Sequence, residues 1–193
     1  MKDKLLTKSF SVTEIENELK RVSYKSKYIK ILKSTIYSLI IVLAVAMLVV
    51  TLVMPVLEVS ESSMKPLLND GEIVLTLKTK NLKSGDIVAF YQGNKILIKR
   101  VIAGSGSFIN IEQNGDVYID GKLFDNDNVT NKMLGDTKLE FPYQVQDGTY
   151  FVLSDERDNM IDSRNEDVGL VKKDNIIGKV IFRVWPIKKL GRV

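Results

Sequence analysis

From Ser34 to Leu57 the chain runs 24 residues without a charged side chain, STIYSLIIVLAVAMLVVTLVMPVL. As an α-helix rising 1.5 Å per residue it spans about 36 Å, enough to cross a bilayer core of roughly 30 Å. The segment is therefore predicted to be a transmembrane helix, and its length argues against a buried helix of a soluble domain. It is also too long for a cleavable signal peptide and follows 33 residues rather than a short basic leader, so retention in the mature protein is expected.

Lys25, Lys27, Lys30 and Lys33 crowd one side of this run, whereas Glu58 and Glu61 open the other. The positive-inside rule then predicts residues 1–33 as a cytoplasmic basic tail, residues 34–57 as a single span and residues 58–193 as an extracytoplasmic domain. The formal charge of +4 is unevenly placed: residues 1–33 hold nine Lys/Arg against four Asp/Glu, and the rest hold 19 against 20. A topology signal beside anionic lipid accounts for the basic pI, and a nucleic-acid partner gains no support.

Ser11 with Glu14 has the spacing of a capping box, and Val12, Ile15, Leu19 and Val22 follow at helical intervals, which predicts a short amphipathic helix before the span. Beyond the span the period changes to two. EIVLTL (72–77), DIVAFY (86–91), KILIKRVIA (95–103), FINIEQ (108–113), VYIDGKLF (117–124), TYFVLSD (149–155) and KVIFRVW (179–185) are all predicted strands. The expected fold is mainly β, an antiparallel-sheet domain with a smaller inserted hairpin and loop region at about 104–147. Within it, Asn114-Gly115 signals a hairpin and residues 125–147 a loop-rich stretch.

The chain has no histidine and no cysteine, which removes the usual general base, thiolate nucleophiles and the commonest metal ligands. SDERDNMIDSRNED (154–167) is acidic, but Arg157 interrupts the alternating oxygen ligands a calcium loop needs. AGSGSF lacks the third glycine of a dinucleotide fingerprint. No metal or cofactor is expected.

Without histidine a serine can still be activated by a lysine whose ammonium form has been destabilised by removal from water. In KILIKRVIA the alternation puts Leu97, Lys99 and Val101 on one strand face and Ile98, Arg100 and Ile102 on the other, so Lys99 is flanked by aliphatics. Ser62 and Ser63, in EVSESSMKPLL, are both candidate nucleophiles. From Glu58 to Ser63 is at most about 17 Å of extended chain, which keeps either serine near the membrane face.

SMKPLL after a span, SGDIVAFY, IKRVIAG, GDVYIDGK, YFVLSDERDNMIDSR and GKVIFRVWPIKKLG together resemble, over roughly residues 55–191, the bacterial type I signal peptidases, the leader peptidases that use a Ser/Lys dyad. The resemblance implies a membrane-bound serine endopeptidase that removes signal peptides from exported preproteins. Ser63 would be its nucleophile, Lys99 its base and Ser62 a neighbour. It further implies Ser154, Asp155, Arg157, Asp162, Ser163 and Arg164 as supporting residues, and Leu57, Val59, Met64, Leu68, Leu97 and Ile98 as an apolar substrate cleft. The implied partners are preproteins with small residues at −3 and −1, the lipid bilayer, and a nearby export translocon.

Four positions depart from the family pattern: Glu61, Ser154, Glu156 and Met160. Met160 stands where the family has a serine that orients the lysine, and Ser154 is expected to supply the missing hydroxyl. Glu61, two places before Ser63, is expected to point outward, since an inward carboxylate would repel an oxyanion. The alternative reading is a non-cleaving, membrane-tethered assembly or binding factor of the kind associated with surface pili. A self-cleaving Ser/Lys repressor would need a DNA-binding module and no span.

Overall fold

The computed structural model describes residues 12–79 and 81–193; Ser11, and with it the capping box, lies outside the described residues. Helix α1 (Val12–Val53) is one continuous helix of 42 residues, not a short amphipathic helix followed by a separate span. Its most apolar 18-residue window has a mean hydropathy of 2.9 and none of it is buried, so it is long and apolar enough to cross a membrane. The helix stops four residues before Leu57. Pro55 lacks an N–H and disfavours helical backbone at the residue before it, and Val56–Glu58 forms strand β1 instead.

The remaining strands are β2 (Ile73–Leu77), β3 (Ile87–Gln92), β4 (Lys95–Gly104), β5 (Phe108–Ile111), β6 (Val117–Ile119), β7 (Lys122–Leu123), β8 (Tyr143–Gln144), β9 (Thr149–Leu153), β10 (Val171–Lys172), β11 (Ile176–Trp185) and β12 (Gly191–Arg192). Eight of them form one sheet in the order β1-β2-β11-β3-β4-β9-β10, with β12 against β11, and every pairing between these strands is antiparallel. A second sheet, β7-β6-β5-β8, is built from the chain between β4 and β9. The fold is thus mainly antiparallel β with one apolar N-terminal helix.

VYIDGKLF, expected as a single strand, is a hairpin. Asp120 and Gly121 both take positive φ, 50° and 79°, the backbone of the tight two-residue turn that Asp-Gly favours. At the β5–β6 turn Gly115 has φ of 85°, and a β-carbon there would lie 2.2 Å from the Met133 nitrogen, so only glycine fits.

The alternation along β4 sorts its side chains into separate apolar clusters. Leu97 and Val101 join Val88, Phe90 and Val152 in one, and Ile98 joins Val59, Met64, Leu68, Val74, Ile87, Ala89 and Val180 in a second. Ile102 belongs to a third, with β5, β6 and β9 residues. The second cluster pins the loop from Val59 to Glu72, because Met64 and Leu68 are wholly buried in it, each worth about 1.5–3 kcal/mol.

A polar hub closes the same loop. Glu72 accepts hydrogen bonds from Asn69 Nδ2 at 3.1 Å, Arg183 Nη1 at 2.9 Å and Lys189 Nζ at 3.1 Å. Arg183 Nη1 also donates to Leu67 O at 2.7 Å, and the Glu72 carbonyl accepts from Val59 N at 2.8 Å. Burial alone would raise the Glu72 pKa, but the bonds from Arg183, Asn69 and Lys189 outweigh it and hold the carboxyl down at about 2.

The folded pKa lies below the unfolded one, so the stabilisation is full above pH ~4.5 and is lost as pH falls through about 2. Glu72→Gln in the full chain in detergent is expected to lower stability at pH 7 by about 3 kcal/mol. The gap from wild type should close as the pH is lowered towards 2, as followed by thermal melts across pH. A gap independent of pH contradicts this role for Glu72.

Candidate active site

Ser63 sits in the pinned loop, 1% exposed, inside a turn closed by Lys65 N to Ser62 O at 3.1 Å and followed by one closed by Leu68 N to Met64 O at 2.8 Å. Its carbonyl accepts from Glu156 N at 3.0 Å, which ties the loop to the segment after β9. Lys99 lies on β4, hydrogen-bonded on both sides by β3 and β9, and is 0% exposed. Its Nζ is 2.5 Å from Ser63 Oγ and donates to Glu61 Oε2 at 3.1 Å.

Burial drives the Lys99 amine below its ordinary range. Glu61 and Asp162 pull the other way, and Arg164 adds to the effect of burial, which prevails. A neutral amine at this distance from a hydroxyl can accept its proton, so the pair has the geometry of an activated nucleophile. Glu61 does not point outward as expected. Its side chain is 26% exposed and its carboxylate turns in to the lysine, because an amine with no water needs acceptors from the protein.

Ser154 does not replace the missing hydroxyl. It is fully buried and its Oγ has no hydrogen-bond partner among the described residues. Met160 packs over Gly135, where a β-carbon would lie 2.4 Å from the sulfur, and neither residue bonds Lys99. The side-chain oxygens that bond the Lys99 amine are those of Glu61 and Ser63.

The other expected supporting residues converge behind the pair. Asp155 receives Arg100 Nε at 2.7 Å and Nη2 at 2.6 Å, a buried bidentate bridge from β4 to the end of β9. Asp162 takes Ser154 N at 3.0 Å and Arg164 through Nε at 3.0 Å and Nη2 at 2.8 Å. Arg164 also donates to the carbonyls of Met133, Leu134, Arg157 and Asn159, and Ser163 Oγ accepts from Val152 N at 2.9 Å. Arg157 differs: its Nε and Nη1 have no partner among the described residues, and burial followed by repulsion from Arg164 lowers its pKa to about 10.

Beside Ser63 a cleft of ≈ 10 Å³ is lined by Val59, Ser60, Glu61, Ser63, Met64, Ile96 and Ile98, room for about one water. Of the six residues expected to form a substrate cleft, Val59, Met64 and Ile98 line this one. Leu97 is buried in the cluster of the opposite strand face, Leu68 is sealed in the core under the loop, and Leu57 lines a separate concavity with Tyr91 and Ile177. Ile96 was missed, although it shares the parity of Ile98 along KILIKR. Arg100, the partner of Asp155, is not among the site residues expected from the sequence; a cation at an inward position of a central strand is the signal that points to it.

A family model described as signal peptidase, peptidase S26, matches residues 32–185. The chain is 34% identical over 174 residues to the inactive signal peptidase IA of Staphylococcus aureus strain COL, covering 84% of this chain and 95% of the relative. It is 36% identical over 149 residues to signal peptidase IB of S. aureus strain Mu50, covering 66% and 75%. To the probable signal peptidase I-2 of Synechocystis it is 30% identical over 146 residues, covering 69% and 64%. A crystal structure of a signal peptidase I from Enterococcus faecalis V583 aligns with a TM-score of 0.43 at 25% identity, over 53% of this chain and 98% of that one. On the family match and these relatives, the chain belongs to the signal peptidase family, peptidase S26.

Proposed function

We propose that this protein is a membrane-bound serine endopeptidase that removes N-terminal signal peptides from exported preproteins, with Ser63 as nucleophile and Lys99 as general base. The observation that carries the reading is the 2.5 Å approach of Ser63 Oγ to a completely buried lysine amine. Lys99 takes the hydroxyl proton as Oγ attacks the carbonyl carbon of the scissile peptide. The ammonium then returns that proton to the leaving amine, which leaves an acyl-enzyme. Water, deprotonated by the same amine, releases the precursor's signal segment from Ser63. The Ser63 N–H supplies a donor to the oxyanion.

A cleft of ≈ 10 Å³ suits small side chains beside the cut. Asp155, Asp162, Ser163 and Arg164 act by holding β4, β9 and the segment after β9 in place, not by touching substrate. One observation favours a second reading, a non-cleaving membrane-tethered factor: relatives at 33–34% identity carry the name inactive signal peptidase IA.

Cleavage separates the two. The purified chain in detergent is expected to cut a secretory precursor after a small-X-small site. Ser63→Ala and Lys99→Ala should each remove activity by about 10³-fold or more, while Ser62→Ala keeps most of it. Absence of cleavage by the wild-type chain, with folding intact, supports the second reading.

The apolar helix and the lysines before Ser34 support a single-pass membrane protein with residues 1–33 cytoplasmic, and a substrate-facing domain beyond the membrane near the export translocon. Protease added to intact spheroplasts should digest the β domain and spare residues 1–33; the reverse pattern of protection contradicts this orientation.

A further inference from the structure

Among the described residues Glu61 is the one carboxylate that hydrogen-bonds the Lys99 amine, at 3.1 Å, and it reaches in from the mouth of the cleft, two residues before Ser63. A neutral amine has one lone pair and two N–H donors. With one N–H given to Glu61, the lone pair is left to face Ser63 Oγ at 2.5 Å. When Lys99 takes the serine proton it becomes an ammonium buried from water, and an ammonium without a nearby anion is costly there. The same requirement is met for an imidazolium by the aspartate of a Ser-His-Asp triad.

We propose that Glu61 is a positioning residue that makes the pair into a Ser63–Lys99–Glu61 triad: it aims the neutral amine at the hydroxyl and stabilises the ammonium formed in the transition state. The proposal rests on the proteolytic reading above. The charged groups that act on the amine are Glu61 from the loop after β1, and Asp162 and Arg164 from the segment after β9. Asp162 and Arg164 are bonded to each other at 2.8 Å and act in opposite senses, so among the described residues Glu61 is left as the anion paired with no cation other than Lys99. Ser154 Oγ, buried beside the Asp162 bond, makes no contact that would duplicate it.

The role has two opposed effects on the pH profile. Glu61 favours the charged amine, so it raises the pH at which Lys99 becomes a base; it also makes each neutral lysine a better base. The test is the pH dependence of kcat/KM for Glu61→Gln, which keeps the shape and an acceptor oxygen but removes the charge, with a precursor lacking ionisable groups near the cut. The acid limb is expected to move to lower pH, while the alkaline plateau falls by roughly threefold to fivefold. Thermal melts of the variant are expected to show that the fold is retained, since Glu61 is partly exposed.

If wild type cleaves and the Glu61→Gln profile superimposes on it, Glu61 has no such role. A plateau that rises makes Glu61 a restraint on the lysine rather than a partner, and also overturns the proposal. A wild-type chain that does not cleave overturns the proteolytic reading itself, whatever the variant does.

Discussion

Removing the Lys99 amine from water is the constraint around which the rest of the domain is arranged. A lysine in solution is almost wholly protonated at neutral pH and has no lone pair to offer. Here it stands on a strand with a hydrogen-bonded neighbour on either side, 0% exposed, with the Ser63 hydroxyl and the Glu61 carboxylate as its bonded partners. Burial of a cation is costly, and proteins bear such costs where a shifted pKa serves chemistry.

The surrounding charges fix the frame without competing for the amine. Arg100, the next residue on β4, is committed to Asp155 by two bonds, and Asp162 to Arg164. Losing one partner of such buried pairs costs about 3–5 kcal/mol, so β4, the end of β9 and the segment after it are locked together. On the other side, the second apolar cluster and the Glu72 hub hold the Ser63 loop to β2 and β11. The short reach from Oγ to Nζ therefore depends on two anchored segments meeting at one point, with the Glu156 N to Ser63 O bond joining them.

The strands were legible because each half-buried segment alternates with period two, and the apolar helix because 24 uncharged residues leave few other readings. Short strands such as β1, β8, β10 and β12 escaped because two or three residues cannot display a period. VYIDGKLF misled for a related reason: its alternation continues in phase across the Asp120-Gly121 turn. At the site, residue types and order pointed to Ser63 and Lys99. Which carboxylate or hydroxyl reaches the amine was not legible, because that depends on side-chain direction in a loop without periodicity. Glu61 was therefore expected outside and is found inside, and Ser154 was expected to bond the lysine and does not.

Proteins of this family range in name from signal peptidase to inactive signal peptidase, and the protonation of Lys99 is a property of this chain's own site. It can be observed without any substrate, by NMR titration of the lysine side chains in the labelled full chain in detergent, with Lys99 assigned by substitution. The Lys99 amine is expected to titrate below the ordinary lysine range, as its burial requires. A Lys99 that titrates at the value of a lysine in water contradicts this placement of the amine.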